Sequence, residues 1–232
     1  MTSPTSNPTE AGDATLAATV ILLRDGERGL ETLMLRKASK IAFGGMSVFP
    51  GGRLDPEDWH GLAPDDTLGA ARRAAVREAF EETGLVVDPG GVLHYAHWTP
   101  PSIEVRRFIT WFFVARAGQG EVAIDHGEIR ASAWLRPGDA LQMRDAGEIV
   151  MAPPTIVTLT DLAAHASVDA ALAATARREP EYFRTVIAPG DDGMVAMWHG
   201  DAGYETLDVR APGARHRLAM CKSSPWRYER TR

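Results

Sequence analysis

The sequence predicts an α/β protein: a mixed sheet enclosed between helices, followed by a C-terminal extension that is first helical and then strand-like. Three observations carry this. Short apolar, β-branched segments surround one long amphipathic helix pattern, a second helix pattern follows the last of them, and Pro153-Pro154 breaks the chain before an alanine-rich stretch.

Residues 1–13 are polar and rich in Ser, Thr and Pro, which predicts a disordered tail. The apolar run Ala14 to Leu23 predicts a strand, joined in a hairpin through Asp25-Gly26-Glu27-Arg28-Gly29 to a second, Leu30 to Arg36. A loop, Ser39 to Met46, leads into Ser47-Val48-Phe49-Pro50. The long helix then lies between Asp66 or Thr67, either of which can cap its start, and Gly84, where a left-handed residue stops it. Leu68, Ala71, Ala75, Val76, Ala79 and Phe80 make its apolar face, with Glu78, Glu81 and Glu82 placed opposite. Strand-like segments follow at Leu85 to Val87 with Val92 to His97, at Val105 to Ala115 and at Ile129 to Leu135. Pro137-Gly138-Asp139 opens a short helix through Met143. Beyond Pro153-Pro154, Ile156 to Ala164 and Ser167 to Arg178 read as helices. Tyr182 to Ile187, Met194 to His199 and Arg217 to Met220 read as strands between Gly, Asp and Pro turns. This divides the chain into a tail (1–13), a domain (14–150) and an extension (151–232) too small and too polar to stand alone, which is expected to pack on the domain.

The 232 residues are 44% hydrophobic and 24% charged, ordinary for a globular protein. A net charge of -6 argues against a general nucleic-acid or anionic-membrane binder, while leaving room for a basic pocket around a phosphorylated small molecule. One cysteine, Cys221, excludes an internal disulfide and suits a reducing compartment; it reads as a small apolar residue in a strand. With neither a membrane-length apolar run nor a signal pattern, a cytoplasmic location is expected. The seven histidines lack metal-ligand spacing, Gly44-Gly45 lacks the following Lys-Ser/Thr of a phosphate cradle, and Trp198, Trp226 and Tyr228 read as packing residues.

The chemistry concentrates between Phe49 and Val87. Three carboxylates within one helical turn would ordinarily be a solvated acidic face. Here Arg77 precedes them and can pair with Glu81, and the turn Phe49-Pro50-Gly51-Gly52 lies upstream, able to bring a bare carbonyl to the same point. Crowded oxygen ligands suit a hard divalent cation that bridges carboxylates to phosphates. The stretch resembles the Nudix box, Gly-x5-Glu-x7-Arg-Glu-U-x-Glu-Glu-x-Gly-U, where U is apolar. Residues Arg77 to Leu85 match its second half, with Ala79 the loosest fit. In the first half, the Glu position counted from Gly52 falls on Asp58, and 18 residues separate Asp58 from Arg77 where the family has seven. The surplus, containing Trp59, His60, Pro64 and Asp65, looks like an insertion, expected as an ordered loop near the mouth of the site.

The resemblance implies the Nudix α/β/α fold over roughly residues 14–150 and a Mg²⁺- or Mn²⁺-dependent diphosphatase. It makes Glu78, Glu81, Glu82 and the Gly51 carbonyl metal-binding, one glutamate a base, and Arg77 the residue that orients them. Glu128, six residues before Trp134, is similarly placed to a loop carboxylate of some family members, or is a surface glutamate. Arg106 and Arg107 are adjacent on a strand and so point to opposite faces; one can bind substrate phosphate in forked geometry, or both are surface charges. The Thr99-Pro100 loop, Arg106-Arg107-Phe108, Trp111 to Phe113 and Ala152-Pro153-Pro154 are similar to the coenzyme A diphosphatase branch, whose box is also interrupted. The resemblance therefore implies coenzyme A or acyl-coenzyme A as substrate, with ADP-ribose or a dinucleotide as the alternative. A non-catalytic ligand sensor is ranked below both, because all three glutamates are present and no helix-turn-helix is recognisable. The partners expected are a small nucleotide substrate and, in a homodimer, a second copy of the chain.

Overall fold

The computed structural model describes residues 14–38, 43–102, 107–124 and 127–231; the tail expected over 1–13 lies outside them, as does Arg106. Strands β1 (Thr15–Gly26) and β2 (Gly29–Lys37) form the predicted hairpin. Its turn is tighter than the sequence suggests, with Gly26 paired to Gly29 and Gly29 at φ 108° taking the left-handed turn position.

The main sheet adds β3 (Ser47–Val48), β4 (Gly51–Arg53), β5 (Leu93–Thr99), β6 (Phe108–Arg116), β7 (Ile129–Leu135) and β8 (Glu181–Arg184). Its order is β3-β2-β1-β6-β5-β8, with β4 paired to β1 and β7 to β2. The pairs β1–β6 and β5–β8 are parallel and the others antiparallel, so the sheet is mixed as predicted. Strand β1 is central and buried on both sides, which is why its sequence is nearly continuous in apolar residues. While β6 follows one edge of β1 from Thr15 to Leu23, the other edge is shared. Strand β2 holds it at Leu23–Gly26, and β4 takes over at Ala17–Thr19. The far end of β2, with Lys37, therefore lies beside β4.

Helix α1 (Thr67–Thr83) covers one face. Asp66 caps it by accepting from the Gly69 N–H at 2.8 Å, and Gly84 ends it at φ 70°. Its buried stripe is Ala70, Ala71, Ala74, Ala75 and Ala79, the last four in one cluster with Ala18, Val20, Leu22, Leu33, Leu35 and Phe113. The apolar face predicted from the sequence was too wide: Phe80 is 56% exposed and Leu68 38%. Short alanine side chains let the helix approach closely, and Phe80 lies one step past that stripe. The stripe continues instead into Glu82, which is buried.

The opposite face of the sheet is covered by α2 (Pro137–Asp145), α3 (Pro153–Leu162) and α4 (Val168–Ala176), which share one apolar cluster with Ile21, Leu23, Phe112, Val114 and Trp198. A second, antiparallel sheet of β9 (Val186–Gly190), β10 (Gly193–Met197), β11 (His216–Cys221) and β12 (Arg227–Arg230) has the order β12-β11-β10-β9. The extension thus contributes β8 to the main sheet, where Phe183 stacks on Trp98 with ring centroids 3.8 Å apart. Trp198 is fully buried, in keeping with its expected packing role, and donates to Thr185 Oγ1 at 3.0 Å. Burial would raise the Asp201 carboxyl, but Arg217 and the His216 and Gly203 N–H groups hold it at about 2. Three expectations differ. Leu85 to Val87 is not a strand, Arg107 lies just before β6 and not on it, and Tyr182 to Ile187 divides at Thr185, where the chain leaves one sheet for the other. No helix among the described residues is long and apolar enough to cross a membrane.

Candidate active site

Two glycines bring β4 against its neighbours. A Cβ on Gly51 would overlap the Ala18 carbonyl and the Thr19 backbone, and one on Gly52 would overlap the Glu78 carboxylate. Helix α1 can therefore lay its acidic turn directly on β4. The Gly51 N–H donates to Glu82 Oε2 at 2.9 Å, and Lys37 Nζ donates to Glu82 Oε1 at 2.9 Å and to the Gly51 carbonyl at 3.4 Å. Glu128 joins from the segment before β7, its Oε2 3.6 Å from the same ammonium. Lys37 and Glu82 are almost wholly enclosed, with side chains 11% and 6% exposed.

Arg77 organises the outer half. It reaches Glu78 Oε1 at 3.0 Å, Glu81 Oε2 at 3.1 Å, Asp58 Oδ2 at 3.0 Å and the Arg53 carbonyl at 3.0 Å. Asp58 is buried on a 3-10 turn, Pro56–Trp59, so it anchors the guanidinium from the side away from the helix. That settles the geometry of the shortened carboxylate: despite the insertion, Asp58 lies against Arg77. The inserted loop is ordered, but among the described residues none from 59 to 69 lines the cleft described below. Arg73 donates to the carbonyls of Asp58 and His60 and so ties the loop to α1.

Charge and burial oppose each other throughout. Burial raises the Glu78 carboxyl above its usual range, and Arg77 offsets only part of that. Burial likewise raises Glu82 against the pull of Lys37 and the Gly51 N–H. At Lys37 burial works to lower the ammonium, yet Glu82, Glu128 and Glu78 outweigh it and the net shift is upward. The two directions pull against each other: the surrounding carboxylates favour the charged Lys37, while at Glu82 burial outweighs its two donors.

Lys37, Arg77 and the four glutamates line a cleft of about 820 Å³. Phe49, Trp98, Phe108, Phe112, Pro153 and Pro154 give the same cleft an apolar, largely aromatic lining. Phe43, at φ 58° and 44% exposed, adds a ring 5.7 Å from that of Phe108. Thr185, Ile187 and Ala196 of the extension complete the lining.

The structure thus brings Gly51, Arg77, Glu78, Glu81, Glu82 and Glu128 together. The three glutamates do not share one solvent face as the spacing suggested: Glu82 is buried, Glu78 half-buried and Glu81 exposed, because they straddle the edge of the sheet-facing stripe. Arg107 does not line the cleft, and its Nε is buried without a hydrogen-bond partner among the described residues. Lys37 and Arg53 were not singled out from the sequence, yet both line the cleft. Lys37 ends an apolar strand, where a charge reads as ordinary punctuation; its proximity to Glu82 comes only from the tertiary fold.

Among the described residues no group of three acidic, histidine or cysteine side chains stands in metal-holding geometry. Glu82 faces Lys37, and Glu78 and Glu81 face Arg77, so each carboxylate meets a cationic donor. The donor set nonetheless suits a hard divalent ion: a backbone carbonyl and several carboxylates, all oxygen, already gathered around a positive charge.

Comparison with known proteins gives the family and the fold. A family model described as the NUDIX domain matches residues 14–154. The chain is similar to a solved NUDIX hydrolase from Alicyclobacillus acidocaldarius, with 25% identity and a TM-score of 0.64 over 69% of this chain and 96% of that one. It is also similar in fold to the NUDIX domain of Shewanella oneidensis NrtR, solved in complex with ADP ribose. That match has 18% identity and a TM-score of 0.50 over 68% of this chain and 92% of the other.

Proposed function

The chain belongs to the Nudix family, whose hydrolases cleave diphosphates of nucleoside derivatives, and on that premise we propose that it acts on coenzyme A or its acyl esters. The products would be 3',5'-ADP and the (acyl-)4'-phosphopantetheine arm. The observation that supports this reading is the lining of the cleft: carboxylates suited to a metal-bound diphosphate, together with apolar and aromatic side chains. Such a cleft suits a diphosphate flanked by organic groups, one of them apolar enough to lie along Phe108, Phe112 and the two prolines. Thr99-Pro100-Pro101 and Ala152-Pro153-Pro154, two of the segments behind the resemblance to coenzyme A diphosphatases, both line it.

Glu78, Glu82, the Gly51 carbonyl and Glu128 would hold Mg²⁺ or Mn²⁺, with Glu81 at the rim. When bound, such an ion neutralises diphosphate charge and lowers the pKa of an attacking water. The chain's own contribution is positioning. Arg77, fixed by Asp58, sets the Glu78 and Glu81 carboxylates, and Gly51 and Gly52 keep β4 within reach of them. The apolar lining limits competing water around the rest of the substrate.

Incubating the protein and Mg²⁺ with coenzyme A, ADP-ribose, NADH and dinucleoside polyphosphates, and identifying the products, tests this directly. Preferential release of 3',5'-ADP from coenzyme A supports it; preference for ADP-ribose or a dinucleotide replaces it with the alternative. Coenzyme A carries a 3'-phosphate that ADP-ribose and NADH lack, and the proposal gives its recognition to Arg106 or to Arg107, whose side chain would have to turn toward the cleft that it does not line. Replacing the reader by Ala should reduce kcat/KM for coenzyme A more than for 3'-dephospho-coenzyme A, by on the order of ten- to a hundredfold for a lost charge-assisted contact. Equal losses on both substrates for each single variant would remove the two arginines from this role and leave Arg53 as the next cation to test.

A further inference from the structure

We propose that Lys37 is a built-in competitor for the metal: its ammonium ties together Glu82, Glu128 and the Gly51 carbonyl, and must release them before a divalent cation can bind. The inference rests on the metal-binding role proposed above for Glu82 and Gly51.

The geometry is that of a cation in an oxygen cage. The ammonium donates to two acceptors, at 2.9 Å (Glu82) and 3.4 Å (Gly51), and stands 3.6 Å from a third oxygen, of Glu128, as an ion pair. The side chain arrives from within the fold, off the end of β2, and is only 11% exposed. Mg²⁺ would take the same oxygens at about 2.0–2.1 Å. An ammonium left among them would face a divalent charge at close range in a poorly screened site, so the two cations exclude each other.

Arg77 also faces proposed ligands, but its situation differs. Asp58 and the Arg53 carbonyl hold it from outside the site, so it keeps partners when Glu78 and Glu81 turn to a metal. Among the described residues, the hydrogen bonds and ion pairs of the Lys37 ammonium all go to the site itself. Lys37 is therefore a positioning residue with a dual effect. It keeps a buried carboxylate paired before the metal arrives, and it weakens metal binding by the strength of the contacts it must surrender.

The sign of one measurement separates this from a purely structural ion pair. In Lys37→Met, Mn²⁺ binding measured by calorimetry on the full chain should tighten by about ten- to a hundredfold, the equivalent of a lost charge-assisted contact. A structural role alone would leave the affinity unchanged or weaken it, because Glu82 would be less well placed. The melting temperature of Lys37→Met should fall in EDTA and be raised by Mn²⁺ more than that of the wild type. Lys37→Arg, which keeps the charge, should stay near wild-type affinity. If Lys37→Met does not fold, Lys37→Gln retains an amide donor without the charge and should shift affinity in the same direction. Unchanged or weaker Mn²⁺ binding by the folded neutral variant overturns the proposal. Glu82→Gln distinguishes the two levels of failure. If it abolishes wild-type Mn²⁺ binding while neutral Lys37 variants fail to tighten it, the competition falls and the metal site stands. If it leaves Mn²⁺ binding intact, the metal sits elsewhere and both fall.

Discussion

Glu78 shows how a single residue can be costly to the fold and necessary to the chemistry. Its carboxyl is raised by burial despite the Arg77 contact at 3.0 Å. A folded-state pKa above the unfolded value means that ionisation opposes folding, so the protein gains stability as pH falls through the raised range. Glu78→Gln should accordingly melt at or above the wild-type temperature at neutral pH in EDTA and show a flatter melting profile in mild acid. Its turnover should nevertheless drop by about 10²-fold or more if Glu78 acts as base or ligand. Loss of activity accompanied by equal loss of stability would mean that Glu78 is chiefly structural. The glutamates and Arg77 were legible because one helical turn relates them, whereas Gly51, 31 positions before Glu82, was reached through the glycine turn and the Nudix resemblance. Lys37 was not legible, because nothing in its neighbours announces that β2 ends beside β4.

At the level of elements, the two glycines of β4 separate fold from function. A methyl on Gly51 meets backbone, the Ala18 carbonyl and Thr19 Cα, which cannot move without disturbing β1. A methyl on Gly52 meets the end of the Glu78 side chain, which can swing aside. Gly51→Ala should therefore destabilise the protein by roughly 1–3 kcal/mol, the usual range for overpacking. Gly52→Ala should keep close to wild-type stability while losing turnover and metal affinity. Denaturant melts beside Mn²⁺ titrations of the two variants would decide this; identical effects at both positions would contradict it. The limits of α1, from Asp66 to Gly84, could be read from its caps, whereas the width of its buried face could not. Periodicity marks which residues are apolar; the closeness of approach, set here by five alanines, decides how many of them are covered.

For the whole molecule, the extension is the feature the sequence described least well. Pro153-Pro154 looks like a boundary, yet α3 begins there and its Ile156, Leu159 and Leu162 share an apolar cluster with Ile21 and Phe112 of the main sheet. Calorimetry should accordingly find a single cooperative transition, and a chain ending at residue 150 should be insoluble or should melt far below the full protein. Two separated transitions would argue for independent units. The four residues of β8 were too short to be assigned to a particular sheet from sequence, since their partner, β5, lies more than eighty positions earlier. That long return has a consequence during synthesis. A ribosome delivers β5 long before β8, so the nascent sheet is left with an open edge and an uncovered Trp98 while α2, α3 and α4 are being made. Unpaired strand edges invite pairing with other chains. Between the synthesis of Thr99 and that of Arg184, β5 therefore waits for the strand that pairs with it, an interval in which that edge is open to misassembly.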